Sequence, residues 1–336
     1  MTPPKAPGKL ARRGEFALIA ELFAPLSVTS PGALGLTDDV ALLDVSPGFQ
    51  LVITTDTLIA GVHFRSDDPP DLIARKALRV NLSDLAAKGA RPIGFLQALA
   101  LNEGVDDIFL EKFAAGLAAD VKAFGVPLLG GDTTSGPGPL SITITALGEV
   151  EKDHALLRRG AQPGDTVCVT GTLGDGALGL ACLNGALNLA PDLADALIER
   201  YRLPLPRLMA GRSLQGLASA GMDVSDGLIG DLGHICTASG VAATLHRERL
   251  PLSPGARAAV EQDARWWDQI LGGGDDYELL FTVPANRIPE LAALATRLRL
   301  PLTAIGTVTQ PSAPGGVTVL AEGKVINVAI HGYQHR

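Results

Sequence analysis

Short apolar runs rich in β-branched residues alternate with longer amphipathic segments along the whole sequence. LVITTDTL (51–58) and LSITITALGEV (140–150) are runs of the first kind, and their composition predicts strands. VDDIFLEKFAAGLAADVKAFG (105–125) is of the second kind, and the spacing of its apolar residues predicts a helix. Strands mixed with helices in both halves predict an α/β or α+β fold with two domains. The length of 336 residues also favours two domains, because a single core rarely grows beyond roughly 250–300 residues.

The predicted elements divide at a polar stretch with a Pro-Gly turn, EKDHALLRRGAQPGD (151–165). We therefore predict a flexible tail over residues 1–13, an N-terminal domain over 14–150 and a C-terminal domain over 151–336. In the N-terminal part the patterns predict helices over 14–26, 69–90 and 105–125 and strands over 40–45, 51–58, 93–101 and 140–150. In the C-terminal part they predict strands over 166–171, 277–283, 302–308 and 324–330 and helices over 174–187, 226–240 and 288–300. Asp71 is the expected N-cap of the second helix, and Gly89 is expected to end it.

Charge and composition narrow the class of protein. The formal net charge is −8, which argues against binding to nucleic acid, since such binding depends on Lys and Arg residues that neutralise phosphates. No apolar run reaches the roughly 20 residues that span a bilayer, so we expect no membrane segment. Cys168, Cys182 and Cys236 are isolated and lack the spacing of a zinc site. We expect them to be buried thiols in a reducing cytoplasm.

The most informative acids lie beside Gly, Ser or Thr at the edge of an apolar run, where the backbone can approach a ligand closely. They are Asp38, Asp39, Asp56, Asp84, Asp132, Asp223, Asp226, Asp275 and Asp276. The ordinary alternative for each is a helix cap or a turn, and Asp226 before GLIGDL suits that role. Asp84 is harder to explain in this way, because it falls within a helix of Leu and Ala, where a lone carboxylate is costly. For Asp84 the structural alternative is an ion pair with Lys76, Arg79 or Lys88.

Acids that converge in the folded protein would repel one another. Two carboxylates about 4 Å apart repel by about 4 kcal/mol at an effective dielectric constant of 20. Hard divalent cations with oxygen ligands, Mg²⁺ above all, remove that repulsion. An acidic cleft with several Mg²⁺ ions is typical of enzymes that act on polyphosphates, in which the metals bridge protein and substrate oxygens.

The common nucleotide-binding motifs are absent from the sequence, which has no GxxxxGK[ST] loop and no protein-kinase motif set. GTLGDGALG (171–179) has Rossmann-like glycines but lacks the partner acid, and we interpret it as a strand–helix turn. Phosphate binding would then depend on metals and on a few basic side chains, of which Arg158 or Arg159 is best placed. His63 is a candidate for recognition, with an ordinary surface histidine as the alternative.

Taken in order, several segments resemble thiamine-monophosphate kinase, a family of the PurM-like superfamily. They include TTDTLIAGVHF, KALRVNLSDLAAKGARP, GGDTT, RRGAQPGD, VTGTLGDGALGL, MDVSDGLIGDLGHI and GGDDYELLFTVP. The resemblance implies an enzyme that transfers the γ-phosphoryl group of ATP to the phosphate of thiamine monophosphate, the last step in making thiamine diphosphate. It implies direct in-line transfer with several Mg²⁺ ions. It also implies an N-terminal α/β domain that shares a β-barrel with a second copy in a homodimer, and a C-terminal α/β domain.

The resemblance also implies roles for individual residues. The implied metal ligands are Asp39, Thr54, Thr55, Asp56, Asp84, Asp132, Asp223 and Asp226. The implied ATP contacts are Gly131, Asp132, Arg158 and Ser225, and the implied thiamine-phosphate contacts are His63, Asp275 and Tyr333. No catalytic side chain is implied, because a phosphate oxygen that is already deprotonated needs no strong base.

Two residues depart from the family pattern. Thr37 replaces a glycine before the first acid pair, so we expect an ordinary φ there or a shifted loop. Of that pair, Asp39 is expected to face the ligand and Asp38 the other side, because side chains alternate along a strand. Asp275 replaces a glutamate and is one methylene shorter.

Two alternatives to the kinase remain. The first is another ATP-dependent enzyme of the superfamily, such as selenophosphate synthetase or a relative of aminoimidazole ribonucleotide synthetase. Selenophosphate synthetases typically carry a reactive Cys or Sec near the N-terminus, whereas no Cys precedes Cys168 here. The second is a non-catalytic sensor of a nucleotide or of thiamine diphosphate.

Overall fold

The computed structural model describes residues 13–311 and 316–329. Tyr333 and all of the predicted tail except Arg13 lie outside these residues. Contacts within the chain define two units. Unit 1 consists of Met1–Pro47, Ile53–Asn81 and Pro92–Glu149, and unit 2 of Gly48–Val52, Leu82–Arg91 and Val150–Arg336. Each unit combines helices with a sheet, in agreement with the predicted α/β class. The predicted domain bounds at residues 150 and 151 stay a prediction.

The α-helices of the described residues are α1 Glu15–Leu18, α2 Pro70–Ala87, α3 Asp107–Phe124, α4 Asp175–Leu183, α5 Pro191–Arg202, α6 Leu208–Leu214, α7 Leu228–Ser239, α8 Pro254–Gln262, α9 Trp266–Gly272 and α10 Ile288–Leu298. The strands are β1 Phe49–Ile59, β2 Arg91–Leu101, β3 Leu128–Ser135, β4 Ser141–Glu151, β5 Thr166–Thr170, β6 Ala220–Asp223, β7 Ala242–His246, β8 Leu279–Val283, β9 Leu302–Thr309, β10 Val317–Ala321 and β11 Lys324–Ile326. Among these helices, none is long and apolar enough to cross a bilayer.

A four-stranded sheet in the order β1-β4-β2-β3 carries the motifs of unit 1. α3 ends before Gly125 as its sequence predicts and begins at Asp107, two residues after the predicted start. The Asp106 side chain accepts the Phe109 N–H at its start, and Gly125 adopts a left-handed φ of 64° at its end. α2 likewise ends before Gly89, whose φ is 69°. The predicted N-cap is wrong, because Asp71 lies inside the first turn, where its charge still favours the helix dipole.

The strand predicted over residues 40–45 is wrong. These residues form no regular structure, and the side chains of Val40 and Leu42 are 57% and 65% exposed. The Leu42 backbone N–H donates to the Gly32 carbonyl rather than to a sheet. β3 is absent from the predictions, because GGDTTS has the composition of a turn and only its pairing with β2 makes it a strand.

Unit 2 is built on a seven-stranded sheet in the order β11-β10-β7-β9-β5-β8-β6. The predicted strands over 166–171, 277–283 and 302–308 and the predicted helices over 174–187, 226–240 and 288–300 are confirmed with small shifts of their ends. The last predicted strand shortens to β11. Cys168 and Cys236 are buried in this unit and Cys182 is half-buried. Burial raises the pKa of the Cys168 thiol to about 12, as expected for an inert thiol.

Candidate active site

Three motif loops of unit 2 meet at one end of its sheet. β5 and β6 both run antiparallel to β8, with Val169 opposite Leu280 and Asp223 opposite Leu279. The loops that follow β5 and β6 therefore lie beside the loop that precedes β8. These loops carry the segments GTLGDGALG, MDVSDGL and GGGDDYEL. GTLGDGALG contains the strand–helix turn that the sequence predicts, which connects β5 to α4, and the first residues of α4.

The MDVSDGL and GGGDDYEL loops are joined through their backbones. The Asp275 N–H donates to the Ser225 carbonyl at 2.9 Å, and the Tyr277 N–H donates to the Val224 carbonyl at 2.8 Å. The approach is so close that a Cβ on Gly274 would lie 2.2 Å from the Ser225 carbonyl oxygen. A side chain at position 274 would clash with this carbonyl, so the close approach of the two loops requires glycine there.

The GGGDDYEL loop contains two residues in the left-handed region, Asp275 with φ of 70° and Tyr277 with φ of 51°. Asp276, between them, is buried and accepts the Gly174 N–H at 2.7 Å and the Gly176 N–H at 3.1 Å. Burial raises the pKa of the Asp276 carboxyl well above its usual range, although these two N–H donors oppose the shift. Asp tolerates a left-handed backbone better than most other residues, which suits the shorter acid found at position 275.

Asp223 ends β6 and is buried beside Asp84, the acid within α2. The Ser83 hydroxyl donates to Asp223 Oδ2 at 2.6 Å. Burial, and next the Asp84 charge, raise the pKa of Asp223 to about 7. The Lys88 ammonium lies near both acids and donates to the Gly221 carbonyl at 3.2 Å. Burial lowers the pKa of Lys88, whereas the charges of Asp223 and Asp84 oppose that shift.

Asp231 is a further acid of this group, and it is missing from the sequence predictions. Burial raises its pKa to about 8, and the charges of Asp223 and Asp226 add to the shift. The sequence signal was an acid in the first turn of the helix predicted over 226–240. That signal is common at helix starts and does not by itself indicate a site.

Unit 2 therefore brings together six of the predicted site residues: Asp84, Asp223, Asp226, Ser225, Asp275 and Arg158. Arg158 is exposed, and its charge contributes to lowering the pKa of Lys88, so it belongs to the same neighbourhood. The positive charge of Arg158 is available to an anionic ligand at this position.

The predicted residues of β1 lie on alternating faces of the sheet in unit 1. Thr54 and Asp56 are on the more buried face, and Asn81 Oδ1 of α2 accepts the Asp56 N–H at 3.1 Å. The Thr55 side chain is on the exposed face, where its hydroxyl lies 3.0 Å from that of Thr145 on β4. The side chains of Thr54 and Thr55 therefore point to opposite sides of the sheet.

His63 follows β1 and is half-buried. Its Nδ1 accepts the Ile59 backbone N–H at 3.1 Å, and its carbonyl accepts from Lys76 Nζ at 3.0 Å. In the neutral ring this leaves the proton on Nε2.

Gly131 and Asp132 lie on β3, at the edge of the sheet opposite β1. Asp132 is next to Ala98 on the exposed face, whereas Asp56 is on the more buried face. Two strands separate β1 from β3, so the two backbones are about three strand spacings apart, roughly 14 Å. One chain therefore does not bring Asp56 and Asp132 to a common ion.

The loop around Thr37 adopts the first of the two conformations expected from its sequence. Thr37 has an ordinary φ of −108°, and its hydroxyl donates to the Leu34 carbonyl at 2.8 Å. The left-handed residues are the three that precede it, Leu34, Gly35 and Leu36. Asp39 is exposed in irregular backbone, so the alternation of a strand does not distinguish it from Asp38.

The donors of unit 2 fit a hard divalent cation. Among the described residues no three His, Cys, Asp or Glu side chains are arranged as a metal site. Mg²⁺, however, is usually held by one or two carboxylates, with water and substrate phosphate oxygens as its other ligands. Asp84 and Asp223 supply such a pair, and their mutual repulsion is what a cation would relieve.

Comparisons with known proteins show the family to which this chain belongs. The model of the AIR synthase related protein N-terminal domain matches residues 37–150, and that of the C-terminal domain matches residues 162–317. Thiamine-monophosphate kinase of Escherichia coli K12 is 44% identical over 326 residues, which cover 96% of this chain and 98% of the relative.

Solved structures show the same relationship. That of thiamine-monophosphate kinase from Stenotrophomonas maltophilia K279a is 41% identical, covers 93% of this chain and 98% of its own, and superposes with a TM-score of 0.82. That of AaThiL complexed with AMPPCP and TMP is 31% identical, covers 96% of this chain and 97% of its own, and has a TM-score of 0.76. The chain has the two-domain PurM-like fold and belongs to the thiamine-monophosphate kinase family.

Proposed function

We propose that this chain is an ATP-dependent kinase that converts thiamine monophosphate to thiamine diphosphate. The observation that carries the proposal is the pair formed by buried Asp223 and half-buried Asp84, which lies next to the joined Ser225 and Asp275 loops in a chain of this family. A relative of known structure was solved with AMPPCP and TMP, and its fold matches along 96% of this chain. The isolated cysteines favour a cytoplasmic enzyme.

The proposed metal ligands are Asp84, Asp223 and Asp226 in unit 2 and Asp39, Thr54, Thr55, Asp56 and Asp132 in unit 1. When bound, Mg²⁺ ions would neutralise the charge of two phosphates that must approach each other. The assignments in unit 2 are supported by the shared electrostatics of Asp84, Asp223 and Asp226. Those in unit 1 rest on the family resemblance.

The remaining roles belong to binding and orientation. Gly131, Asp132, Arg158 and Ser225 are proposed to contact ATP, and His63 and Asp275 are proposed to contact thiamine phosphate. Tyr333 is proposed to complete the thiamine site. None of these groups needs to remove a proton, so in-line transfer depends on holding the two phosphates at the right distance.

A homodimer is proposed on the basis of the exposed face of the four-stranded sheet. Ile53 of β1 and Leu96 of β2 are 60% and 39% exposed, and Ala98 and Ala100 are exposed beside Leu96. Apolar side chains in a row on an open sheet face are typical of an interface. A second copy that closed two such sheets into a barrel would bury this face.

The proposed function is tested by incubating the pure protein with ATP, Mg²⁺ and thiamine monophosphate and separating the thiamine compounds by chromatography. We expect equimolar thiamine diphosphate and ADP. Nucleotide binding without any thiamine diphosphate would contradict the kinase and favour a sensor. Parallel reactions with aminoimidazole precursors or selenide distinguish the other ATP-dependent enzymes of the superfamily.

A further inference from the structure

Asp231 lies one turn into α7, and its side chain turns back onto the loop that precedes the helix. Its Oδ2 accepts the backbone N–H groups of Ser225 at 3.1 Å, Asp226 at 3.2 Å and Gly227 at 3.1 Å. Three consecutive N–H groups thus converge on one carboxylate oxygen. The Asp231 residue is only 1% exposed, so water does not compete for these bonds.

The opposite side of the same loop is held by the GGGDDYEL loop. The carbonyls of Val224 and Ser225 accept N–H groups of that loop. Gly227 has a φ of 126°, and a Cβ there would lie 2.5 Å from the Gly272 carbonyl oxygen. Asp231 therefore accepts the backbone N–H groups of the MDVSDGL loop, and the GGGDDYEL loop donates to the backbone carbonyls of that same loop. Together these contacts fix the backbone from which the Ser225 and Asp226 side chains project.

An ordinary helix cap does not require this arrangement. A capping side chain usually satisfies one or two N–H groups and remains in contact with water. Asp231 is buried near the charges of Asp223 and Asp226, and its Oδ1 is buried with no hydrogen-bond partner among the described residues. Such an orphaned carboxylate oxygen opposes folding. A contribution to helix stability alone does not account for an acid at this position.

We propose that Asp231 is a positioning residue that aims Ser225 and Asp226 at the magnesium–nucleotide complex. This inference rests on the proposed function, which assigns ATP to Ser225 and a metal ion to Asp226. Asp231 itself touches neither, and it acts through the three backbone N–H groups that it holds. Asp165 provides a matched comparison in the same unit, because its buried Oδ2 also accepts a loop N–H, from Gln162 at 3.0 Å.

The inference is tested by calorimetric titration with AMPPCP and Mg²⁺ of the wild type, Asp231→Ala, Asp231→Asn and Asp165→Ala. We expect Asp231→Ala to bind about tenfold more weakly, and Asp231→Asn, which keeps an oxygen for the three donors, to recover to within about threefold of the wild type. Asp165→Ala should bind as the wild type does. In kinetics, the KM for ATP should rise in Asp231→Ala, while the KM for thiamine monophosphate stays unchanged.

Hydrogen exchange in the metal-free protein supplies a second measurement. The amides of residues 225–227 should exchange faster in Asp231→Ala than in Asp231→Asn. Wild-type affinity in Asp231→Ala, or an equal loss in Asp165→Ala, would overturn the inference. If Asp231→Ala does not fold, Asp231→Glu moves the oxygen by one methylene and must show the same loss. Absence of thiamine diphosphate together with the predicted affinity pattern would refute only the proposed function.

Discussion

The two units present their acidic residues in different ways. In unit 1, Asp56 and Asp132 are parts of strands, on opposite edges and opposite faces of one sheet. In unit 2, Asp223 ends a strand and Asp226 follows in the loop beyond it, so that neighbouring loops collect the acids at one end of the sheet. Loops at strand ends converge, whereas side chains within strands are kept apart by the spacing and alternation of the sheet.

This difference has an electrostatic consequence. In unit 2, burial raises the pKa of Asp223 to about 7 and that of Asp231 to about 8, and the charges of neighbouring acids add to both shifts. Unit 2 thus holds neighbouring acids whose repulsion a cation would relieve, whereas Asp56 and Asp132 of unit 1 lie on different strands and different faces of their sheet.

The largest effect is expected for loss of a proposed ligand. Asp84→Asn and Asp132→Asn should each reduce kcat at least ~100-fold, because each removes charge stabilisation from the transferred phosphate. Circular dichroism and thermal unfolding should show that both variants fold. Near-normal turnover of either variant would show that its assignment as a metal ligand is wrong.

A dimer of two differently mutated copies can test whether Asp56 and Asp132 of unit 1 act in the same site. If a barrel of two copies sets β1 of one copy against β3 of the other, each site combines Asp56 and Asp132 from different copies. A purified heterodimer of Asp56→Asn and Asp132→Asn copies would then keep one intact site and about half of the wild-type activity. Each homodimeric variant should be inactive. An inactive heterodimer would mean that both acids act within the same copy.

Much of this fold follows from its sequence, but the position of the acids follows only in part. The alternating run of β4 and the capped, amphipathic α3 are predicted because local patterns decide them. β3 and the irregular segment 40–45 are not, because pairing with a neighbouring strand decides both. The convergence of Asp223 with Asp84 depends on contacts between residues far apart in sequence, and only the family resemblance pointed to it.

A smaller effect is expected at Asp275, whose left-handed backbone favours the shorter acid. Asp275→Glu should leave kcat within roughly tenfold of the wild type, which corresponds to about 1.4 kcal/mol. It should also lower the unfolding temperature slightly. Steady-state kinetics and calorimetry of the pure variant measure both quantities. A much larger loss of kcat would mean that the site is built around the aspartate.

In the metal-free protein, the fold holds Asp84 and Asp223 close together although their charges repel, and we expect a bound cation to relieve this repulsion. Thermal unfolding of the wild type, Asp223→Asn and the control Asp165→Asn, each with and without Mg²⁺, tests this claim most directly. We expect Mg²⁺ to raise the Tm of the wild type and of the control by several degrees, since binding to the folded state stabilises it. Asp223→Asn should match or exceed the metal-free wild type and gain little from Mg²⁺, because a neutral side chain is buried there at lower cost. A wild-type Tm that does not respond to Mg²⁺, or an equal rise in Asp223→Asn, would contradict the account.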